Sequence, residues 1–160
     1  PKGIGLGAYL AREGFDVWIP EMRGHGLSRR NHDYAKNRVA DYARYDLPAI
    51  AAFVREQSAQ IPHWIGHSLG ATTLVAALGG QYLGAPGVAS VALFGCQVSR
   101  TYWPLKIPPV EWGGRFILKR FAQLSGSRLK RGPEDEPIGL ALESMRWHGL
   151  FGRFGDSDSD

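Results

Sequence analysis

The sequence predicts an α/β fold: a partial parallel sheet with crossover helices, followed by a lid-like segment. Three observations carry that expectation. Short runs rich in β-branched and aromatic residues alternate with longer helix-like runs up to about residue 96. One strand-to-helix junction holds Gly66-His67-Ser68-Leu69-Gly70, a G-x-S-x-G sequence. From about Gln97 the texture changes to basic, glycine-bearing pieces with Trp103, Pro104, Pro108, Pro109, Trp112 and Trp147, and no clear strand is legible. The division expected is a core over 1–96, a lid or cap insertion over 97–155 and a disordered acidic tail over 156–160.

The elements follow in order. Ile4, Leu6, Leu10 and Ala11 give a loose helical spacing, and Gly14 is placed to stop that helix. FDVWIP (15–20) reads as a strand ended by Pro20. EMRGHGLSRRNHD (21–33) is polar and glycine-bearing, hence a loop. Asp46 before Leu47 and Pro48 reads as an N-cap with proline in the first turn, and AIAAFVREQ continues as an amphipathic helix. IPHWIG (61–66) is a second buried strand, LGATTLVAALGGQYL (69–83) a small-residue helix stopped near Gly84, and GVASVALFGC (87–96) a third strand. Strand, helix, strand, helix, strand is the order of a parallel sheet.

Bulk properties narrow the class. A chain of 160 residues suits one domain with a real core, and 44% hydrophobic with 21% charged residues excludes disordered and fibrous classes. Cys96 is the one cysteine, which rules out an internal disulfide framework and fits a reducing, cytoplasmic compartment. The net charge of +4 is diffuse, and no reader motif accompanies it, so nucleic acid is not expected as a partner. No apolar run approaches a membrane span. Pro1 at one end and GDSDSD at the other lead us to expect an internal piece of a longer protein.

The junction at Ser68 carries the chemistry. An elbow of this kind turns a strand into a helix so tightly that the serine at its apex takes a strained backbone conformation. Gly66 and Gly70 are expected to keep that turn free of clashes, while Ala71, Thr72 and Thr73 let the helix approach the sheet. The Leu69 backbone N–H, at the helix N-terminus, is placed to meet developing negative charge. His67, beside the nucleophile, is expected to point away and pack.

GFDVWIPEMRGHGLS, YDLPAI and IPHWIGHSLGA, in that order and at that spacing, together resemble the α/β-hydrolase family. The resemblance covers residues 3–96 best. RGHGLS looks like the family's D-x-R-G-H-G-x-S segment, with Glu21 where Asp usually stands. YDLPA is similar to a piece seen in acid-lipase-like members, which implies lipophilic ester substrates. The resemblance implies a serine nucleophile at Ser68, no cofactor and no metal. It also implies a later acid and histidine, plus a second oxyanion donor from a loop ahead of the first helix. After Ser68 the sequence offers one histidine, His148, preceded by Glu134, Asp135, Glu136 and Glu143. His148 lies in a lid-like context and is read as a lid residue rather than the base.

Other signals take plainer readings. Gly3 to Ala8 satisfies G-x-G-x-x-A, but no strand precedes it, so it is read as a glycine-rich helix start rather than a dinucleotide site. His25, His32 and Asp33 match no strong metal-ligand spacing, and His25 is expected to stabilise its loop or line the site mouth. Cys96 is read as a buried small hydrophobe. Residues 113–132 alternate basic and apolar types, which suits a lid helix with a solvated basic face or, alternatively, a helix lying on a membrane surface. The functional expectation is hydrolysis of carboxylic esters through an acyl-serine. The alternatives are acyl transfer and a non-catalytic module binding a lipid or protein partner. If the chain ends at 160, open sheet edges are expected to drive self-association.

Overall fold

The computed structural model describes residues 5–98, 102–128 and 134–154; the acidic tail expected over 156–160 and part of the glycine-rich start lie outside them. Helix α1 (Leu6–Arg12) ends in a Schellman motif, with Phe15 N–H donating to Leu10 O and Gly14 N–H to Ala11 O. Gly14 sits there at φ +91°, the conformation that favours glycine.

Residues 15–20 do not form the strand expected from their composition. They run without ladder hydrogen bonds to either described sheet. Strand character requires a neighbour, and no described segment pairs with this one. It packs sideways instead: Trp18 stacks edge-on against Phe53 at 5.7 Å, and an apolar groove of about 420 Å³ lies between the two segments.

The helix after the loop also begins differently. Asp46 is not an N-cap; its backbone is already helical. The turn starts at α2 (Val39–Asp41), widens into a π-turn over Tyr42–Asp46, and continues as α3 (Leu47–Ser58). Leu47 N–H donates to Tyr42 O, five residues back. Pro48 has no N–H to offer and its ring crowds the preceding turn, so a local widening relieves the ladder. The Asp46 carboxylate instead accepts from Arg23, at 2.8 Å from Nε and 3.1 Å from the backbone N–H. That bond ties the 21–33 loop to the helix.

Strand β1 (His63–His67) leads through Ser68 into α4 (Leu69–Gly79), and β2 (Ser90–Phe94) returns parallel to β1, with Ile65 opposite Ala92 and His67 opposite Phe94. Helix α4 stops at Gly79, short of the expected residue 83, because Gly80 caps it and Gln81 turns to φ +58°. Ala43, Leu47, Ala51, Leu74 and Ala77 form the main core between α3 and α4, and Trp64 and Val91 pack on it from one face of the sheet. Ile65 and Phe94 on the other face are exposed. Cys96 is half-buried, not fully buried as expected.

Beyond Gln97 the chain forms a 3-10 turn (Trp103–Lys106), helix α5 (Pro108–Leu118), a two-residue antiparallel ribbon of β3 (Gln123–Leu124) with β4 (Glu136–Pro137), and α6 (Ile138–His148). The ribbon is separate from the parallel sheet. Leu140 of α6 joins Val39 and Tyr42 in a second buried cluster against which Leu69 and Trp147 pack. Through that cluster the C-terminal segment reaches the first residue of α4.

Candidate active site

Ser68 stands at the end of β1 with φ +51° and ψ −112°, a conformation rarely adopted by residues other than glycine. Two flanking bonds impose it. Ser68 N–H donates to Phe94 O at 2.9 Å and so completes the sheet, while Ser68 O accepts from Thr72 N–H at 3.0 Å and begins the helix. One residue thus serves a strand on one side and a helix on the other. The Thr72 hydroxyl adds a second bond to the same oxygen at 3.1 Å.

Gly66 is required by contact. A Cβ there would lie 2.8 Å from Ala71 N and Cα and from Leu74 Cδ1, because α4 folds back directly over the strand. Gly70 carries no such requirement: a Cβ at that position meets nothing within 4 Å among the described residues. The expectation that both glycines relieve clashes therefore holds for one of them. His67 is exposed rather than packed, because its side of β1 has no helix over it among the described residues.

The Ser68 hydroxyl is not spent as a helix cap. It is half-buried at the N-terminus of α4, where the first backbone N–H groups, Leu69 among them, have no partner within the helix. Such donors favour an anion. Among the described residues no histidine hydrogen-bonds to the Ser68 hydroxyl.

Four of the acids that follow Ser68, namely Glu134, Asp135, Glu136 and Glu143, are committed elsewhere. Glu134 accepts from Gly26 N–H at 3.2 Å, and Asp135 accepts from Gln123 Nε2 at 2.7 Å. Glu136 meets His25 Nε2 at 3.0 Å. Glu143 is buried and accepts from Val39 N–H at 2.6 Å and Ala40 N–H at 3.3 Å. Burial pushes its carboxyl up to about 7, against the opposing pull of those two N–H groups. His148 closes α6 beside Trp147.

His25 stabilises its loop, as its position suggested, but through a partner that sequence reasoning did not identify. Nε2 faces Glu136, and Nδ1 faces the Arg23 carbonyl at 3.3 Å, so both ring nitrogens point at acceptors. Only the doubly protonated ring donates to both. The Glu136 bond accordingly raises the imidazole above its ordinary value, against the cost of burial. Among the described residues no group of three or more His, Cys, Asp or Glu side chains is arranged to hold a metal.

Residues 4–158 match the alpha/beta hydrolase family. Over 75 residues, 42% of this chain and 19% of each relative, the sequence is 37% identical to gastric triacylglycerol lipase of Rattus norvegicus. Over the same shares it is 39% identical to Lipase member N of Mus musculus and 35% identical to lysosomal acid lipase/cholesteryl ester hydrolase of Homo sapiens. The match thus spans about a fifth of these relatives' length. No solved structure matches. A match over nearly the whole sequence, a two-stranded parallel sheet with a crossover helix and a strand–serine–helix turn agree: the chain belongs to the alpha/beta hydrolase family.

Proposed function

We propose that this chain carries the nucleophile of a hydrolase acting on lipophilic carboxylic esters. The observation that supports it most is Ser68, held at positive φ between strand and helix with its hydroxyl not used as a helix cap. The names of similar proteins, a triacylglycerol lipase and a cholesteryl ester hydrolase among them, favour long acyl esters.

In this reading Ser68 Oγ attacks the acyl carbonyl and its proton passes to a base. The Leu69 N–H donates to the oxygen that becomes negative. Collapse breaks the bond to the alkoxy oxygen, which takes the proton and leaves as an alcohol. Water then attacks the acyl-serine, the acid departs and the serine proton is restored. The step requires a general base, a role that histidine fills in serine hydrolases.

The test is hydrolysis of p-nitrophenyl esters of increasing acyl length by the protein and by Ser68→Ala. Turnover that rises with acyl length and disappears in the variant supports the reading. Turnover that survives in the variant, or none with any ester, refutes it and returns the chain to a binding role.

A further inference from the structure

We infer that the outer face of α5 docks on an anionic lipid surface. Helix α5 is amphipathic in an unusual sense. Its inner side is formed by Glu111, Gly114, Arg115 and Leu118, with Gly114 seated against Met145 of α6. Trp112, Phe116 and Ile117 point outward and are 65%, 64% and 57% exposed. A solvated basic face would present charges there and hide the rings; here the rings are outside.

The charges complete the pattern. Residues 102–128 contain five Lys or Arg residues and a single acid, Glu111. That acid is buried and paired with Arg115 at 3.4 Å. Lys106 is turned inward onto Gly149 O at 2.7 Å. Lys119 and Arg120, both exposed, stand at the end of the aromatic face, and the Arg120 guanidinium lies 4.1 Å from the centre of the Phe116 ring. Residues 102–128 therefore offer large apolar rings and exposed cations with no exposed carboxylate among them to repel an anionic headgroup. Aromatic rings and basic side chains on one helix face are what an interfacial helix uses, the rings entering the headgroup boundary and the cations meeting phosphate. A single helix face is convex, so it suits a broad surface better than a peptide needing a groove. No helix among the described residues is long and apolar enough to cross a membrane, so contact would be in the plane of the interface.

The placement gives this docking a use. The far side of α5 rests on α6, whose Leu140 and Trp147 share a cluster with Leu69, next to Ser68. Docking would seat lipid on the layer that packs against the elbow.

The experiment is flotation of the protein with vesicles of phosphatidylcholine alone and of equimolar phosphatidylcholine and phosphatidylglycerol. The protein is expected to float with the mixed vesicles. Lys119→Glu with Arg120→Glu should weaken that binding on the order of tenfold or more, and added salt should weaken it for the unaltered protein. Trp112→Ser with Phe116→Ser should remove it. All four side chains are exposed, so both double variants should retain the circular dichroism of the unaltered protein. Ser68→Ala should float unchanged, which separates this inference from the proposed hydrolysis. No flotation, or flotation indifferent to both double variants, overturns the inference. So does an oligomer that the aromatic variant disperses without any vesicle binding, since the face would then belong to a second copy.

Discussion

Replacing Glu143 by Gln should stabilise the protein at mildly alkaline pH and do little or mild harm at acid pH. Glu143 is buried against the start of α2, and burial holds its carboxyl up to about 7 rather than 4.5. An acid whose folded value is raised binds its proton more tightly when folded, so stability is present in full below the ordinary value. It declines as pH rises through 4.5 to 7. The span corresponds to at most about 3 kcal/mol of penalty for the buried charge at about pH 8. Gln removes the charge and keeps one carbonyl for the 2.6 Å bond from Val39 N–H. It turns an amide NH2 toward Ala40 N–H, where a 3.3 Å bond now exists, at a cost of about 1 kcal/mol. The net expectation is a gain of about 1–2 kcal/mol at about pH 8 and a loss of up to about 1 kcal/mol at about pH 5. Urea denaturation of both proteins at the two pH values measures this directly. A Gln variant less stable at both values by the same amount would refute the reasoning, because Glu143 would then act as an ordinary hydrogen-bond acceptor whose charge costs nothing.

Three further outcomes follow from the same geometry. The His25–Glu136 bond needs a charged ring whose folded value is raised, so its contribution is complete below about 6.5 and fades as pH rises through the folded value. Hydrogen exchange in residues 134–148, corrected for intrinsic rates, should therefore accelerate above neutrality, and His25→Gln should remove that rise while leaving the exchange of α3 unchanged. Gly66→Ala should destabilise by roughly 2–4 kcal/mol in thermal melts, because its Cβ would lie 2.8 Å from the Ala71 backbone, which cannot yield without moving α4 off the sheet; Gly70→Ala should cost under about 1 kcal/mol. Ser68→Gly should stabilise by about 1 kcal/mol relative to Ser68→Ala in the same assay, because φ +51° suits glycine and strains alanine.

The elbow was legible because its requirements are local. Gly66, Ser68 and the small residues of α4 are neighbours in sequence, and a tight turn dictates each of them. Gly14 was legible for the same reason. Residues 15–20 were misread because composition reports an affinity for sheets, whereas a strand exists only with a partner beside it. Asp46 was misread because the helical turn already begins at Val39, which places Asp46 inside it and leaves its carboxylate to accept from Arg23. The long-range contacts of the C-terminal segment left no trace at all: His25 and Glu136 are 111 residues apart, and Glu143 meets Val39 across 104. The outward tryptophan and phenylalanine of α5 were equally hidden, since alternating basic and apolar residues do not say which side faces α6.

Ser68 as an acyl-accepting nucleophile is the centre of this account, and labelling the protein with a fluorophosphonate, then locating the adduct by peptide mapping, tests it most directly. A single adduct on Ser68, absent from Ser68→Ala, is expected. An unlabelled Ser68 peptide, or an adduct that persists in the variant, would contradict it.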